Sequence, residues 1–475
     1  MKILSKSPLV FEIEADLLEN RKDVFYYHPQ ILELKKKIKK LEKHKYKLKK
    51  FGEIIKLIYR YPTFYGINYL NHGIRVLKGE NIIDGEIVIT KEESFISPED
   101  NQRFRKTVLK EDDLIFSVRA TIGKVGFVTK EFEGSNINAN LVRISLIDEI
   151  NPRYVWVYLN TKIGQALIEN IISGTVQSTI TIPDITSIMI PIPPIEVQNK
   201  IAEIILEAYK QKKRKLQIAK TLLEKINHIV LKELHVTIRE IEVRRTYWVS
   251  PNDLEGRRDP VFYSPGYLML LNAIENSPYE VKTLKQISKT IVSGQRPKGG
   301  VKYIEDGVPS IGGEHITSEG DFNFENIRFI PKQFHQQQKK SRVKPYDILI
   351  VKDGATTGKV AIVPKEFPFK ECNINEHVFK IEVKDGYNPY YVFSYLFSSL
   401  GQEQINRLIS GAAQKGITRD AIESTKIIVP PLEIQNTIAN EIRKRKEESK
   451  RLKKEAEEVV ENAKKEVEKM IMEET

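Results

Sequence analysis

The sequence predicts an α+β protein in which two homologous α/β modules, in a pseudo-twofold arrangement, are separated by two long antiparallel coiled-coil helices. Three observations predict this fold. Blocks of the first half of the chain recur in the second half, each half contains short β-patterned segments between Gly, Pro and Asn turns, and each half ends in a long run without Gly or Pro. These features indicate a duplication, a strand-rich module and a long helix, respectively.

The duplication extends over nearly the whole chain. Seven blocks recur in unchanged order, and their offsets stay between 234 and 237 residues. Such a series does not arise by chance, so we interpret the chain as a tandem repeat. The clearest pairs are GIRVLKGENI (73–82) with GVPSIGGEHI (307–316), ATIGKV (120–125) with ATTGKV (355–360), NPRYVWVYL (151–159) with NPYYVFSYL (388–396), SGTVQSTIT (173–181) with SGAAQKGIT (410–418), and PIPPIEVQNKIAEII (191–205) with IVPPLEIQNTIANEI (428–442).

The repeat divides the chain into four predicted parts. A first module covers 1–194 and a central helical connector covers 195–245. A second module covers 246–431, and a C-terminal helical segment covers 432–475. A chain of 475 residues is too long for one core, and this division gives each module a core of ordinary size.

A Pro-Pro pair introduces each long helix, because it ends the preceding strand and fixes the start of the following run. We expect helices from Ile195 to Leu234 and from Leu432 to Ile471. At ~1.5 Å per residue each helix would be roughly 60 Å long, which exceeds the width of a compact module. Each helix carries an apolar stripe, and we expect the two stripes to pack together. The predicted pairing residues are Ile201, Ile205, Leu216, Leu223 and Ile226 in the first helix and Ile438, Ile442, Leu452, Val459 and Val467 in the second.

The composition bounds the function. Lys and Arg exceed Asp and Glu by 12, and the pI is about 9.2, which favours a polyanionic partner such as nucleic acid. No apolar run approaches the ~18 residues of a membrane span, and the first twenty residues lack the pattern of a secretory signal. Cys372 is the single cysteine, which excludes an internal disulfide. We therefore expect a cytoplasmic protein without a membrane partner.

The loop GATTGKV (354–360) resembles a phosphate-binding loop at first sight. A P-loop needs four residues between its glycines and a hydroxyl residue after the lysine. Here three residues separate Gly354 from Gly358, and Val360 follows Lys359. The loop also has a twin in the first half, so we interpret it as an element of the repeated module rather than a nucleotide site.

The segment NPYY, which begins at Asn388, resembles the NPPY motif with which adenine methyltransferases hold a flipped base. Its twin NPRY begins at Asn151, and neither copy has the second proline. The chain also lacks a Gly-rich strand-to-helix loop for S-adenosylmethionine. Because Asn caps helices and Pro suits their first turn, we expect both segments to begin framework helices. The eight histidines show no metal-ligand spacing, and we expect no metal site.

Two similar modules at a fixed separation suit DNA, which presents half-sites on one face at regular spacings. The framework of the modules matches, but their loops diverge. IYRYPTFYGINY (58–69) in the first module stands where the second has VSGQRPKGGVKY (292–303). This pattern predicts that the two modules read different half-sites.

Candidate DNA contacts follow from the chemistry of the grooves, where Arg, Lys, Asn and Gln read base edges and phosphate contacts supply affinity. In the matched loops, Thr121, Lys124, Thr356 and Lys359 are candidates for backbone contacts, or else belong to a hairpin turn with a solvated lysine. In the matched SGxxQ segments, Gln177 and Gln414 either contact DNA or bond within the fold. The unmatched candidates for specificity are Tyr61, Thr63, Tyr65, Lys78, Asn81 and Arg119 in the first module and Arg296, Lys298, Lys302, His315, Arg342, Lys352 and Lys415 in the second.

The most basic stretch is KKKIKKLEKHKYKLKK (35–50), and its counterpart in the second module is not basic. We interpret it first as a solvated helix face and second as a phosphate-binding surface. In the second case the two modules should differ in the salt sensitivity of DNA binding.

The whole chain resembles the specificity subunit of a type I restriction-modification system. The resemblance rests on the doubled [IV]PP[IL]E[IV]Q start of each helix, the doubled SGxxQxxIT segment, the ATxGKV loop and the layout in two halves. It implies that each module is a target recognition domain that reads one half of a bipartite site in double-stranded DNA. It also implies that the helices dock two methyltransferase subunits, and that restriction/translocase subunits join that core. The resemblance implies no catalysis and no bound cofactor in this chain, because S-adenosylmethionine belongs to the methyltransferase subunit.

Two other functions stay open at the level of the sequence. A stand-alone DNA methyltransferase would account for NPYY and the basic charge. A helical adaptor that joins proteins without reading DNA would account for the long helices.

Overall fold

The computed structural model describes residues 2–6, 9–13, 24–61, 68–90, 92–172, 179–238, 246–250, 260–297, 302–410 and 416–472. The chain forms two compact units. The first contains residues 1–214 and 455–475, and the second contains residues 215–454. Each unit therefore combines one module with one half of each long helix, which differs from the division into four consecutive parts.

The first module contains thirteen described strands and five helices before the first long helix. The strands are β1 (Lys2–Lys6), β2 (Leu9–Glu12), β3 (Lys47–Lys50), β4 (Ile55–Arg60), β5 (Ile74–Leu77), β6 (Ile82–Ile83), β7 (Glu86–Ile87), β8 (Phe95–Ile96), β9 (Leu114–Ser117), β10 (Val125–Phe127), β11 (Asn136–Ile137), β12 (Leu141–Leu146) and β13 (Met189–Ile192). The helices are α1 (Pro29–His44), α2 (Pro98–Arg103), α3 (Pro152–Asn160), α4 (Lys162–Ile171) and α5 (Ile182–Thr186), followed by the long helix α6 (Ile195–Glu233).

The second module repeats the main sheets and framework helices with fewer described strands, nine in place of thirteen. Its described strands are β14 (Glu280–Thr283), β15 (Ser288–Ser293), β16 (Val308–Ile311), β17 (Arg328–Ile330), β18 (Ile348–Val351), β19 (Val360–Ile362), β20 (Asn373–Ile374), β21 (Val378–Val383) and β22 (Lys426–Val429). Its helices are α7 (Pro265–Glu275), α8 (Leu284–Ile287), α9 (Lys332–Gln337), α10 (Pro389–Phe397), α11 (Ser399–Leu408) and α12 (Arg419–Glu423), followed by the long helix α13 (Leu432–Met472).

The duplication predicted from the sequence is present in the sheets. The first module has a four-stranded antiparallel sheet in the order β10-β9-β12-β4, and the second has its equivalent in the order β19-β18-β21-β15. Each module also has a three-stranded sheet with one parallel pair, β5 with β11 and β16 with β20. The central strands are buried on both faces, as the unbroken apolar runs LIFS and ILIV indicate.

The doubled motif at the start of each long helix forms a buried hydrogen-bonded clamp. Gln198 is 2% exposed; its Oε1 accepts a bond from the Asn151 amide (2.9 Å), and its Nε2 donates to the Pro193 carbonyl (2.9 Å). In the second copy the Gln435 side chain bonds the Asn388 amide (3.0 Å) and the Pro430 carbonyl (2.8 Å) in the same way. The clamp joins the start of the long helix to the start of α3 or α10.

Both NP segments begin framework helices, which confirms the prediction. The Asn151 side chain accepts bonds from the amides of Arg153 and Tyr154 and caps α3. Asn388 caps α10 in the same way, through the amides of Tyr390 and Tyr391. In both copies, therefore, the asparagine of the NP segment is a helix cap.

The two long helices pack together in antiparallel fashion, as predicted. In the first unit, Ile201 and Ile205 of α6 share a core with Val460 and Val467 of α13. The two helices thereby complete the apolar core of the module in that unit.

In the second unit, Ile226 of α6 shares a core with Ile438 and Ile442 of α13. The Ser449 hydroxyl also donates to the Ala219 carbonyl (3.0 Å). The N-terminal half of each long helix thus packs with the C-terminal half of the other.

The remaining predicted pairing residues differ in burial. Leu452 is buried, and Leu223 and Val459 are partly buried against the cores of their units. Leu216 is 38% exposed, so for this residue the expectation of a buried pairing position is wrong. The helix bounds of 195–233 and 432–472 lie within one residue of the predicted 195–234 and 432–471.

Candidate nucleic-acid interface

In each module, a group of turns at one end of the sheets brings many of the predicted contact residues together. We call these groups the loop edges. The first loop edge consists of Arg60, 78–81, 117–124 and 138–140, and the second of 294–296, 312–315, 352–359 and 375–377.

The same scaffold forms both loop edges. The matched loop that contains Thr121 or Thr356 lies against the short helical turn Gly79–Asn81 or Gly313–His315. A Cβ at Gly79 would lie 2.2 Å from the Thr121 hydroxyl oxygen, so the close approach requires glycine. In the second module the Thr356 hydroxyl donates to the Gly313 carbonyl (3.3 Å). The matched residues therefore hold the loop and the turn together.

Two predicted specificity residues, Asn81 and His315, are equivalent turn caps. The Asn81 Oδ1 accepts the Lys78 amide (2.8 Å), and the His315 Nδ1 accepts the Gly312 amide (2.8 Å). They are 8% and 1% exposed, and burial lowers the pKa of the His315 imidazole. Both side chains therefore cap turns of the fold, and base contact by either residue stays a prediction. Asn81 and His315 are different residue types, but each accepts a hydrogen bond from the backbone amide three residues earlier.

The first loop edge presents a cluster of cationic and aromatic side chains. The Arg60 Nε donates to the Ala139 carbonyl (2.8 Å). Burial, followed by the nearby guanidinium of Arg119, lowers the pKa of Arg60. Arg119 is exposed, and the Lys78 ammonium lies 5.2 Å from the centre of the Tyr69 ring. The two neighbouring guanidinium groups can bind phosphate or bond to a base, and the exposed Tyr69 ring can stack on one.

The second loop edge presents paired charges of both signs. The Arg296 Nε lies 3.3 Å from a Glu376 carboxylate oxygen, and the His377 Nδ1 bonds Asp353. The Lys352 ammonium is half-buried and lies 3.5 Å from the Glu376 carbonyl. Carboxylates accept hydrogen bonds from amino groups such as that of cytosine. The two loop edges therefore offer different donor and acceptor patterns on one scaffold.

Three of the predicted residues serve the fold as well as the loop edge. The Tyr61 ring is 2% exposed and lies 4.4 Å from the Phe104 ring, so it belongs to the packed interior of the first module. The Lys124 ammonium donates to the Ile82 carbonyl (2.8 Å), and the half-buried Arg342 guanidinium donates to the His335 carbonyl (3.3 Å from Nη2). Lys359 is half-buried, whereas Lys302 is exposed. DNA contact by any of these residues stays a prediction.

Six of the predicted contact residues lie outside the described residues, in the segments 62–67, 173–178, 298–301 and 411–415. They are Thr63, Tyr65, Gln177, Lys298, Gln414 and Lys415.

The contacts predicted from the sequence omit four residues of the loop edges, Arg60, Asp353, Glu376 and His377, and also Tyr69, which lies beside Lys78. Arg60 and Tyr69 lie within the divergent segment 58–69, whereas Asp353, Glu376 and His377 lie beside repeated blocks. Position 377 was detectable, because Asn140 stands at the matched place of the first module. Comparison of the two repeats residue by residue would have found this difference in residue type.

The lysine-rich stretch forms α1 and β3, and its lysines lie mainly on the outer face of the helix. Lys36, Lys37, Lys39 and Lys40 are exposed, whereas Ile38 and Leu41 are buried in the core. The face is therefore solvated, and phosphate binding by it stays a prediction.

Among the described residues, no group of His, Cys, Asp and Glu could hold a metal ion. In the same part of the chain, no helix combines the length and the hydropathy that a membrane span requires.

A family model for the type I restriction modification DNA specificity domain matches the chain twice, over residues 30–228 and 276–462. The two matches follow the repeat and together cover more than half of the chain. The type I restriction enzyme MjaX specificity subunit of Methanocaldococcus jannaschii is 26% identical over 411 residues, with 83% of this chain and 85% of that protein covered. The EcoBI specificity subunit of Escherichia coli is 21% identical over 159 residues, with 31% of this chain and 32% of that protein covered.

Solved structures are similar at low identity. The S subunit of a type I restriction-modification system from M. genitalium is 12% identical, with a TM-score of 0.44 and coverage of 91% of this chain and 97% of that chain. A chain from a type I system studied for its complex assembly and conformational transition is 16% identical, with a TM-score of 0.45 and coverage of 90% and 98%.

Proposed function

This chain belongs to the family of type I restriction-modification DNA specificity domains, and from that premise we propose that each of its two modules reads one half of a bipartite DNA site. The family recognises DNA sequence for a restriction-modification system. The proposal adds which part of the chain reads which part of the site. The first loop edge reads one half-site, and the second loop edge reads the other.

The observation that carries the proposal is the pair of loop edges. Both are built on the same turn and the same threonine-bearing loop, and both hold the cap residue at the same place. Their charged side chains differ: the first has Arg60 and the exposed Arg119, and the second has the partly buried Asp353 and Glu376. A repeated frame with different donors and acceptors suits two different base sequences.

We propose further that the paired long helices set the number of base pairs between the half-sites. Their antiparallel packing supports this role, because each unit contains one half of each helix. A paired helix is stiffer than a loop, so the distance that it sets is well defined.

The proposed partners are double-stranded DNA, two methyltransferase subunits docked on the chain, and restriction/translocase subunits that join this core. In this proposal S-adenosylmethionine is bound by the methyltransferase subunit. The chain itself determines which DNA sequence the complex recognises and takes no part in the transfer of the methyl group. The complex acts in the cytoplasm, where the DNA to be marked lies.

The test is to map methylated bases in the genome of the host with and without the gene for this chain. We expect loss of one split motif with a fixed spacer, and its return when the gene is supplied on a plasmid. An unchanged methylation pattern would contradict the proposal. Methyl transfer to genomic DNA by the purified chain with S-adenosylmethionine would instead indicate a methyltransferase. Selection from random DNA that enriches no split site, even with the methyltransferase subunits present, would favour an adaptor.

A further inference from the structure

An acidic turn in each module binds the long helix of the same unit. The turns are Asp84-Gly85-Glu86 in the first module and Glu319-Gly320-Asp321 in the second. Each turn follows its loop edge directly along the chain. In the first module, β6 begins at the residue after Asn81. In the second module, the amide of Thr317, which is two residues after His315, donates to the Asp321 carbonyl. The turns are therefore short connections between a loop edge and a long helix.

In the first module, α6 holds the turn through hydrogen bonds and an ion pair. The Tyr209 hydroxyl donates to the Asp84 carbonyl (2.7 Å), and the Trp156 indole of α3 donates to the Gly85 carbonyl (2.9 Å). The Lys212 ammonium lies 3.3 Å from the Glu86 carboxylate. The turn cannot shift on the helix without breaking these three interactions.

In the second module, α13 holds the turn at the matched place, but through a lysine. The Lys446 ammonium donates to the Glu319 carbonyl (2.5 Å) and lies 3.3 Å from the Asp321 carboxylate. Its side chain is 9% exposed and lies between 5 and 6 Å from the rings of Phe393 and Phe397. A Cβ at Gly320 would lie 2.9 Å from Phe393 and 3.2 Å from the ammonium, so the turn fits closely.

The two contacts are equivalent although their donors differ. Tyr209 and Lys446 are separated by 237 residues, as are Trp156 and Phe393, and this is the offset of the neighbouring repeated blocks. A phenol and an ammonium are chemically different groups, but each places a hydrogen-bond donor at the end of a long side chain. Both donors bond the carbonyl of the first acidic residue of the turn. The contact has therefore been kept in both copies while its chemistry changed.

The acidic turn is also tied to the loop edge. The Asn81 amide group, which caps the loop-edge turn, donates to the Val88 carbonyl (2.9 Å) on the return side of the hairpin. In the second module the Asn323 amide donates to the His315 carbonyl (2.9 Å). A displacement of the acidic turn on the long helix would thus move the loop edge as well.

We propose that Tyr209 and Lys446 are positioning residues that fix the orientation of each loop edge on its long helix and thereby make the protein selective for one spacing between half-sites. The inference rests on the proposed function. Neither residue reads a base, since each is buried under its acidic turn. Removal of either hydrogen bond should relax the selection of spacing and leave the base preferences of both half-sites intact.

The test uses the chain assembled with its methyltransferase subunits and the variants Tyr209→Phe and Lys446→Met. Each substitution removes the donor and keeps most of the side-chain volume. The controls are Tyr158→Phe, which removes a partly buried bond to the Met189 carbonyl away from the acidic turn, and Lys444→Met, which alters an exposed lysine on the same helix as Lys446. Methylation is measured on synthetic duplexes that carry the host motif at its natural spacing or with one base pair added or removed.

For the wild type and both controls we expect a strong preference for the natural spacing. The net contribution of one hydrogen bond corresponds to about a fivefold change in an equilibrium constant. The preference for the natural spacing should therefore fall about fivefold in Tyr209→Phe and at least as far in Lys446→Met. An unchanged preference in both variants would overturn the inference and leave the proposed function in place. If the wild type methylates no split site at a fixed spacing, the proposed function fails, and this inference fails with it.

Discussion

The clamp at the start of α13 yields a prediction whose size can be worked out from the structure. Gln435 is 2% exposed, and its side-chain amide bonds the Asn388 amide and the Pro430 carbonyl. The substitution Gln435→Met keeps the length of the side chain and a good helix former, but it removes both bonds. The change in stability therefore reports on the hydrogen bonds rather than on packing.

The substitution leaves two backbone groups without their partner. A buried donor or acceptor left unpaired costs about 1 to 3 kcal/mol. The bond to Pro430 is buried and the bond to Asn388 is partly buried. We therefore expect Gln435→Met to lower the local free energy of unfolding by about 3 kcal/mol in total.

The assay is hydrogen exchange of the intact chain, because two units need not unfold in one step and a single midpoint would mix them. With 1.4 kcal/mol per factor of ten, the amides of α10 and β21 should exchange about a hundred times faster in the variant. Amides of α3 and β12 should be unaffected. The matched variant Gln198→Met should show the reverse pattern, since Gln198 makes the same bonds in the first unit.

Two results would refute this reasoning. Unchanged exchange in α10 would mean that the clamp contributes nothing to stability. Equal acceleration in both modules would mean that the two units do not unfold separately.

Three further predictions concern single side chains. Burial raises the pKa of the Asp347 carboxyl from 3.8 to about 6. The contribution of this carboxyl to stability is therefore full below pH 3.8 and is lost as the pH rises through about 6. Hydrogen exchange, corrected for intrinsic rates, should show this loss of stability in β21 and a flatter dependence on pH in Asp347→Asn. Arg119→Gln should lower the salt dependence of DNA affinity, measured by titration at several salt concentrations. The slope of log affinity against log salt should decrease in magnitude by about 0.9 for each phosphate that the variant no longer neutralises. An unchanged slope would contradict phosphate binding by Arg119. Glu376→Gln should relax one base position in a single half-site, seen as an altered methylation motif with a discrimination loss of about 1 to 3 kcal/mol, whereas a change in both half-sites would count against separate reading.

The sequence predicted the repeated frame well because that frame depends on strong local signals. Asn followed by Pro favours the start of a helix, and Asn151 and Asn388 both cap helices. The Pro-Pro pairs and the lack of Gly and Pro after them gave the long helices to within one residue. The apolar stripes gave their packing, except at Leu216, where the stripe continues in sequence but the side chain is exposed.

The sequence was less informative about the loop edges, because divergence between the copies does not reveal exposure. Asn81 and His315 differ in type, yet both are buried and cap the same turn. Tyr61 lies in a divergent segment, yet it is buried against Phe104. Asp353 and Glu376 were missed since a search for basic residues overlooks carboxylates. Their role depends on neighbours that are distant in the chain, such as Arg296.

The central claim is that one chain reads two half-sites at a distance set by its paired helices. Along the two long helices, the division between the two units falls after Arg214 and after Lys454. Insertion of seven residues after each of these positions would lengthen both helices together and would spare the acidic turns and the clamps. Seven residues add about 10 Å of helix, which is the rise of roughly three base pairs.

The measurement that tests the claim most directly is the methylation motif of a host that carries this doubly extended chain. We predict the same two half-sites with a spacer longer by about three base pairs. A motif with its original spacer, or the loss of both half-sites together, would contradict the claim.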